Sequence, residues 1–297
     1  MEQPRKVLTD IGELHNAAGQ QLLKMWKVDV GGGKRAFYHH SHTRFEITVV
    51  DDGCGRYTTP SGTLDMLPGD IFVFASNEQH YISEVGDAGL SITNLHFEPR
   101  YLIESGEEGG IPQHPDFCFS HAPDFKNRIP AVKAGVLREL LYHIAAELVD
   151  MPTGYTLSVR SLLHLMLLDL IRTHGYAALT PPAGQFGSML RAMAYIDAEY
   201  CTAITLRDIA AAAGLTPNYF SALFKQLNGV SPWEYITAKR IEKAVSVITD
   251  PAFEGTMLSV ACTCGFNNTA NFNKAFRKHI GMTPSKYKKI GNKELLL

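Results

Sequence analysis

GLTPNYFSALFKQLNGVSPWEY (residues 214–235) and GFNNTANFNKAFRKHIGMTPSKY (residues 265–287) are two copies of one pattern. Phe220, Phe224, Gly229, Pro232 and Tyr235 recur as Phe272, Phe276, Gly281, Pro284 and Tyr287, and Lys225 recurs as Arg277. Upstream, Ile209-Ala210 recurs as Val260-Ala261 and Gly214 as Gly265. The offset grows by one between Gly265 and Phe272, so the second copy carries one inserted residue there. Each copy predicts a short helix, a glycine that ends it in the left-handed region, and a second amphipathic helix. In the second helix Phe220, Leu223, Phe224 and Leu227 lie at i, i+3, i+4 and i+7, and the other copy offers Phe272, Ala275, Phe276 and Ile280. Helix, tight turn, helix is the helix-turn-helix signature, whose second helix enters the major groove of DNA.

Polar residues on these second helices suit base and phosphate contact. They are Thr216, Pro217, Asn218, Ser221 and Lys225 in the first copy. The second copy offers Asn268, Thr269, Asn271, Lys274, Arg277 and Lys278. Asn pairs bidentately with adenine, and Lys reaches guanine or phosphate. Any amphipathic helix shows polar residues outward; two copies in register weigh against that plainer explanation. PWEYITAKRIEKAVSVITD (232–250) predicts a bridging helix with Ile236, Ile241, Ala244, Val245 and Ile248 inward.

Working outward, charge divides the chain. Residues 184–297 hold 13 Lys and Arg against 8 Asp and Glu, a net of +5, while the rest holds 15 against 22, a net of −7. A basic module beside an acidic one is the expected footprint when one part meets phosphates. The length of 297 residues suits two cores. The N-terminus lacks the apolar run of a secretory signal, and no long apolar stretch offers a membrane span, so a cytoplasmic protein is expected. Five cysteines without metal-knuckle spacing read as reduced thiols. Cys262 and Cys264 would point to different helix faces.

From about Lys24 to Phe97, short β-rich runs (FEITVV, RYTTP, DIFVFAS, LSITNLHF) are punctuated by Gly, Pro and Asp, as in an all-β sandwich or barrel. Two helices follow. The first carries Val136, Leu137, Leu140, Leu141, Ile144 and Leu148; the second, about Ser158 to Ile171, is apolar on more than one face. Packing within the chain or a partner subunit would cover the second face. THGYAALTPPAGQ (173–185) reads as a linker. The fold expected is α+β multidomain: a β-barrel with two helices over residues 1–176, a linker at 177–187, and an all-α domain with two helix-turn-helix motifs over 188–290.

LRDIAAAAGLTPNYFSALFKQLNGVSPWEYI (206–236), KRIEKAVSVI (239–248) and VACTCGFNNTANFNKAFRKHIGMTPSKYKK (260–289) together resemble the DNA-binding domain of AraC/XylS-type transcription regulators. The resemblance implies two helix-turn-helix units bridged by a helix that Arg240 stabilises. A basic residue is common in that family where Ala222 stands here, so contacts from the first reading helix are expected to differ. More loosely, His40-x-His42-x3-Glu46-x6-Gly53, then Pro68-Gly69-Asp70, then His80, resemble the cupin-like sensing domain of the same family. The resemblance implies double-stranded DNA and a small-molecule effector, a sugar or related metabolite, as partners. It favours activation, with RNA polymerase as a further partner, and a homodimer is expected.

Residues two apart on a strand share a face, which would align His40, His42 and Glu46. Such a set, with His80, suits a transition metal, and a cupin-type metal enzyme fused to a DNA-binding tail is the alternative function. No phosphate-cradling glycine loop or Gly-x-Ser-x-Gly occurs. No catalytic or metal residue and no cofactor is assigned; the expected effector lining is Trp26, Tyr38, His40, His42, Arg44, Glu46 and His80.

Overall fold

In FEITVV, Phe45, Ile47 and Val49 alternate with Glu46, Thr48 and Val50, and both sets are buried. A strand buried on both sides needs a cover for each face. The computed structural model supplies two covers; it describes residues 6–17, 19–32, 42–98, 101, 121, 125–176, 185–250 and 252–290. The strands are β1 Lys6–His15, β2 Gln21–Val30, β3 Phe45–Thr59, β4 Gly62–Met66, β5 Ile71–Phe74, β6 Tyr81–Phe97 and β7 Arg128–Ile129. They form one antiparallel sheet in the order β1-β2-β6-β3-β5-β7, with β4 paired to β3.

One face of this sheet is apolar. Leu23, Met25, Phe45, Ile47, Val49, Ile71, Val73, Leu95 and Phe97 join a core with helices α1 (Gly135–Asp150) and α2 (Tyr155–Thr173). The helices contribute Leu137, Leu141, Ile144 and Leu148, then Val159, Leu163, Met166, Leu167 and Leu170. Val136, expected inward, is 54% exposed.

The other face is enclosed by the sheet itself. Register shifts interrupt the β3–β6 ladder at Val50/Asp52, Gly53/Gly55 and Arg56/Tyr57. Such bulges bend a strand and increase its twist. Gly53 stands at φ 78°, and a Cβ there would lie 2.1 Å from the carbonyl oxygen of Gly89. The bent ribbon brings Tyr57 over Phe72 and Phe74, with ring centroids 4.8 and 5.0 Å apart. Pro68-Gly69-Asp70 is a structural turn. Asp70 is buried and accepts hydrogen bonds from the backbone of Leu67 and Ala131 and from Arg128 Nε.

A second unit comprises, among the described residues, 42–43, 76–79 and 185–290. Its helices are α3 Gln185–Glu199, α4 Leu206–Ala213, α5 Pro217–Asn228, α6 Pro232–Thr249, α7 Met257–Thr263, α8 Thr269–Ile280 and α9 Pro284–Ile290. Met189, Ile196, Ile209, Phe220, Phe224, Tyr235 and Ile236 anchor one core. Ile241, Ala244, Ile248, Val260, Phe272, Phe276 and Tyr287 anchor the other. Helix α6 therefore contributes its first half to one core and its second half to the next. Among the described residues no helix is long and apolar enough to cross a membrane.

One expectation needs correction, and one buried charge was not foreseen. In α8 the buried stripe is Phe272, Phe276 and His279, with Ala275 and Ile280 only partly buried. On α6, Lys239 is buried beside Ile236 and Ile241. Its Nζ lies 2.7 Å from Asp197 of α3 and over the rings of Tyr235 and Tyr200. An unpaired ammonium there would cost several kcal/mol, so the carboxylate is what permits the burial.

Candidate functional site

Each reading helix is built by its ends. Thr205 and Asp208 form a reciprocal capping box on α4, and Gly214 at φ 70° closes that helix. Pro217 opens α5 after Thr216, and Gly229 closes it. In the second copy Asn268 accepts from the backbone N–H of Asn271 at 2.8 Å, capping α8, and Gly281 closes it. Three residues separate the end of α4 from α5, whereas five separate α7 from α8. One of the two extra residues is the insertion seen in the sequence, and the other arises because α7 ends one position earlier than α4; in this turn Phe266 packs on Phe272.

Thr216, Asn218 and Lys225 of the first copy are exposed, and Pro217 and Ser221 are half-buried. Asn268, Asn271, Lys274, Arg277 and Lys278 of the second are exposed, and Thr269 is half-buried. The Asn268 amide oxygen is committed to the helix end; the other side chains leave the fold to others. Glu234, in the first turn of α6, is held below the usual carboxylate range by the backbone and hydroxyl of Ser231, with Lys278 and Lys225 adding to the effect. Cations from α5 and α8 therefore act on one point, the start of the helix that joins the two motifs. Beside it runs an open groove lined by Trp233, Thr237, Phe266, Asn271, Lys274 and Lys278. Trp233 is 43% exposed, an aromatic on this surface that periodicity did not single out.

Arg240 fixes the arrangement. Its guanidinium donates to the carbonyls of Tyr200 and Thr202 and lies over the Phe266 ring, 5.9 Å from its centroid. It ties α6 to the α3–α4 turn and to the turn of the second copy, in the role that the resemblance implied.

The sensor sheet gathers a different chemistry on its enclosed face. Glu46 and Thr48 on β3 oppose His96 and Asn94 on β6, and Trp26 on β2 opposes Asn94 from the other side. Both His80 Nε2, at 3.0 Å, and His96 Nε2, at 2.8 Å, donate to Glu46 Oε2. All three side chains are buried. The His80 ring stacks on Phe74 at 3.9 Å, and His96 meets Trp26 edge-on at 4.5 Å. Thr48 Oγ1 lies 2.7 Å from both Glu46 Oε1 and Asn94 Oδ1. Burial first, and then the Glu46 charge, raise the Tyr57 phenol well above its ordinary range, against a hydrogen bond with Thr48.

Of the seven side chains expected to line an effector site, the fold brings Trp26, Glu46 and His80 together. Arg44 stands just before β3, 3.8 Å from Glu98. His42 precedes the strand, which begins at Phe45, so the alternation argument does not reach it; its carbonyl accepts from Asn77 N–H. Tyr38 and His40 lie outside the described residues. His96, Thr48, Asn94 and Tyr57 were missed. The signal for two of them was present in ITNLHF, where Asn94 and His96 alternate with Leu95 and Phe97.

Comparison with known proteins agrees with both halves. Residues 31–150 match the AraC-like ligand binding domain, and residues 209–290 match a helix-turn-helix domain family. The chain is 30% identical over 259 residues to the melibiose operon regulatory protein of Escherichia coli strain K12, covering 84% of this chain and 83% of that one. It is 27% identical over 246 residues to the raffinose operon transcriptional regulatory protein RafR of Pediococcus pentosaceus, covering 82% and 84%. The fold is shared with ToxT from Vibrio cholerae O395, at a TM-score of 0.57 and 12% identity over 90% of this chain and 96% of that one. The chain belongs to the AraC family and is a ligand-responsive transcription regulator with a sensor sheet and two helix-turn-helix motifs.

Proposed function

We propose that the protein is a cytoplasmic activator of carbohydrate-utilisation genes, binding its operator as a homodimer with a sugar as effector. Helices α5 and α8 of each copy enter successive major grooves. Thr216, Asn218, Ser221, Lys225, Asn271 and Lys274 reach base edges or nearby phosphates, and Pro217, Asn268, Thr269, Arg277 and Lys278 complete the surface. Residues 177–187 link the sensor to this reader. The observation that carries the effector class is the enclosed polar face: an indole beside His96, Glu46 and His80 suits ring stacking with hydrogen bonds to hydroxyls. Relatives named for melibiose and raffinose operons support the same class. Activation would bring RNA polymerase as the further partner.

For the effector to act, it must bind one state of the protein better than another. Recovery of sheared genomic DNA by the purified protein, at about 150 mM salt, should give few sites, each with two half-motifs roughly one helical turn apart. A panel of mono- and disaccharides should contain a member that raises the melting temperature and changes operator affinity. Diffuse, salt-sensitive DNA binding would overturn the operator reading; indifference to every saccharide would overturn the effector class.

A further inference from the structure

We infer that Trp233, Lys274 and Lys278 form a seat for a sugar-phosphate strand of the DNA, one that crosses between the two major-groove segments. The bridging helix α6 is then part of the DNA interface itself, an assignment that rests on the proposed placement of α5 and α8 in successive major grooves.

Successive major grooves on one face of B-DNA are separated by a minor groove with a sugar-phosphate strand on either side. Whatever the protein places between its two reading helices on that face meets those strands. Here it is the start of α6. A groove of about 410 Å³ runs along it, walled by Trp233 and Thr237 of α6, Phe266 of the second turn, and Asn271, Lys274 and Lys278 of α8. Asn271 and Lys274 also belong to the reading face proposed for α8, so the groove continues that face onto α6. Helix α5 reaches the same place through Lys225, whose charge acts with that of Lys278 on Glu234.

The chemistry of the groove matches such a strand, which alternates anionic phosphates with apolar deoxyribose edges. Lys274 and Lys278 are exposed cations, Asn271 is an exposed amide, and the Trp233 indole is 43% exposed. Glu234, also on the groove, is turned to its own helix end: the backbone N–H and the hydroxyl of Ser231 both donate to its Oε2, at 3.0 and 2.8 Å. Comparison of the two copies shows that the fold does not require the indole. Pro232 and Tyr235 recur as Pro284 and Tyr287, and all four are buried. Trp233 stands where the second copy has Ser285, and both are exposed. The positions that build the motif repeat, whereas this one differs, on the copy whose following helix lies between the two readers.

The test uses the full chain and its indole emission. The chain has two tryptophans, and Trp26 is 8% exposed, so acrylamide quenching reports mainly on Trp233, with Trp233→Phe supplying the Trp26 background. The probes are a duplex recovered from genomic DNA and a random duplex at about 50 mM salt, where phosphate contacts bind any sequence. Saturation with either should lower acrylamide access to Trp233 at least about 2-fold, as covering a half-exposed ring requires. Trp233→Ala, shown to be folded by circular dichroism, should weaken both duplexes by the same factor, about 10-fold, because a sugar-phosphate contact carries no sequence information. Lys278→Gln should weaken both and lower the salt slope by roughly one. Unchanged acrylamide access in the saturated complexes, wild-type affinity in Trp233→Ala, or a loss confined to the recovered duplex overturns the inference. Discrete genomic sites with an unshielded indole remove the α6 contact and leave the operator reading. Shielding by the random duplex without discrete genomic sites keeps the contact and removes the operator reading.

Discussion

Single residues decide how the reader meets DNA and at what acidity it holds together. Asn271 and Lys274 are exposed on α8 beside the groove that Trp233 lines. If either pairs with a base, its alanine variant should lose about 1–3 kcal/mol of specific affinity while non-specific affinity is unchanged. A phosphate contact would weaken all sequences alike and lower the salt slope by roughly one. Titrations of specific and random duplexes at several salt concentrations separate these outcomes. His279 supplies a pH prediction. Burial, aided by the Lys278 charge, pushes its imidazole down to about 4 from an ordinary 6.5. The folded unit keeps it neutral while the unfolded chain takes up a proton. Stability is therefore fully present above pH 6.5 and falls as pH drops, by up to about 1.4 kcal/mol per unit, levelling off below 4. Denaturant unfolding of wild type and His279→Gln between pH 7 and 4 should show that slope in the first and its reduction in the second.

At the scale of elements, turns matter as much as helices. Gly265 ends the α7 turn at φ 81°, and a Cβ there would lie 2.7 Å from the carbonyl oxygen of Cys201. Gly265→Ala meets both a left-handed backbone penalty and backbone that Arg240 holds in place. It should destabilise the DNA-binding unit by about 2 kcal/mol or more. Gly187→Ala is the control, because its Cβ would meet only the Arg191 guanidinium at 3.6 Å. Its unfolding midpoint should hold or rise slightly. The helices of this unit were legible because Phe220/Phe224 and Phe272/Phe276 repeat in register with glycine stops. Strand β1 was not: KVLTDIGELH lies at the sheet edge with Val7 and Leu8 exposed, and carries little alternation. The sensor site was half legible. Glu46 and His80 stood out as chemistry, whereas His96 becomes a neighbour of Glu46 only through the β3–β6 register. Lys239 was unreadable in one dimension, since its partner Asp197 lies on another helix.

At the scale of the whole molecule, α2 keeps an uncovered apolar face among the described residues. Leu157, Leu165 and Leu168 are 70%, 52% and 37% exposed while Leu163, Met166 and Leu170 fill the core. That stripe is where a second copy would pack in the proposed homodimer. Leu165→Glu should give a folded monomer by analytical ultracentrifugation, with affinity reduced at least 10-fold on DNA carrying two protomer sites and unchanged on DNA carrying one, as loss of a linked second contact requires. A wild-type chain that sediments as a monomer at micromolar concentration would remove this face from the proposal.

The double burial of β3 and β6 has one more consequence. Phe45, Ile47, Val49, Leu95 and Phe97 hold the helices, while Glu46, Thr48, Asn94 and His96 face the enclosure. Cohesion and the proposed recognition are written on alternate letters of the same two words. A lineage, or a combinatorial library, can rewrite every second letter and acquire a new inducer while the intervening letters go on spelling the same domain.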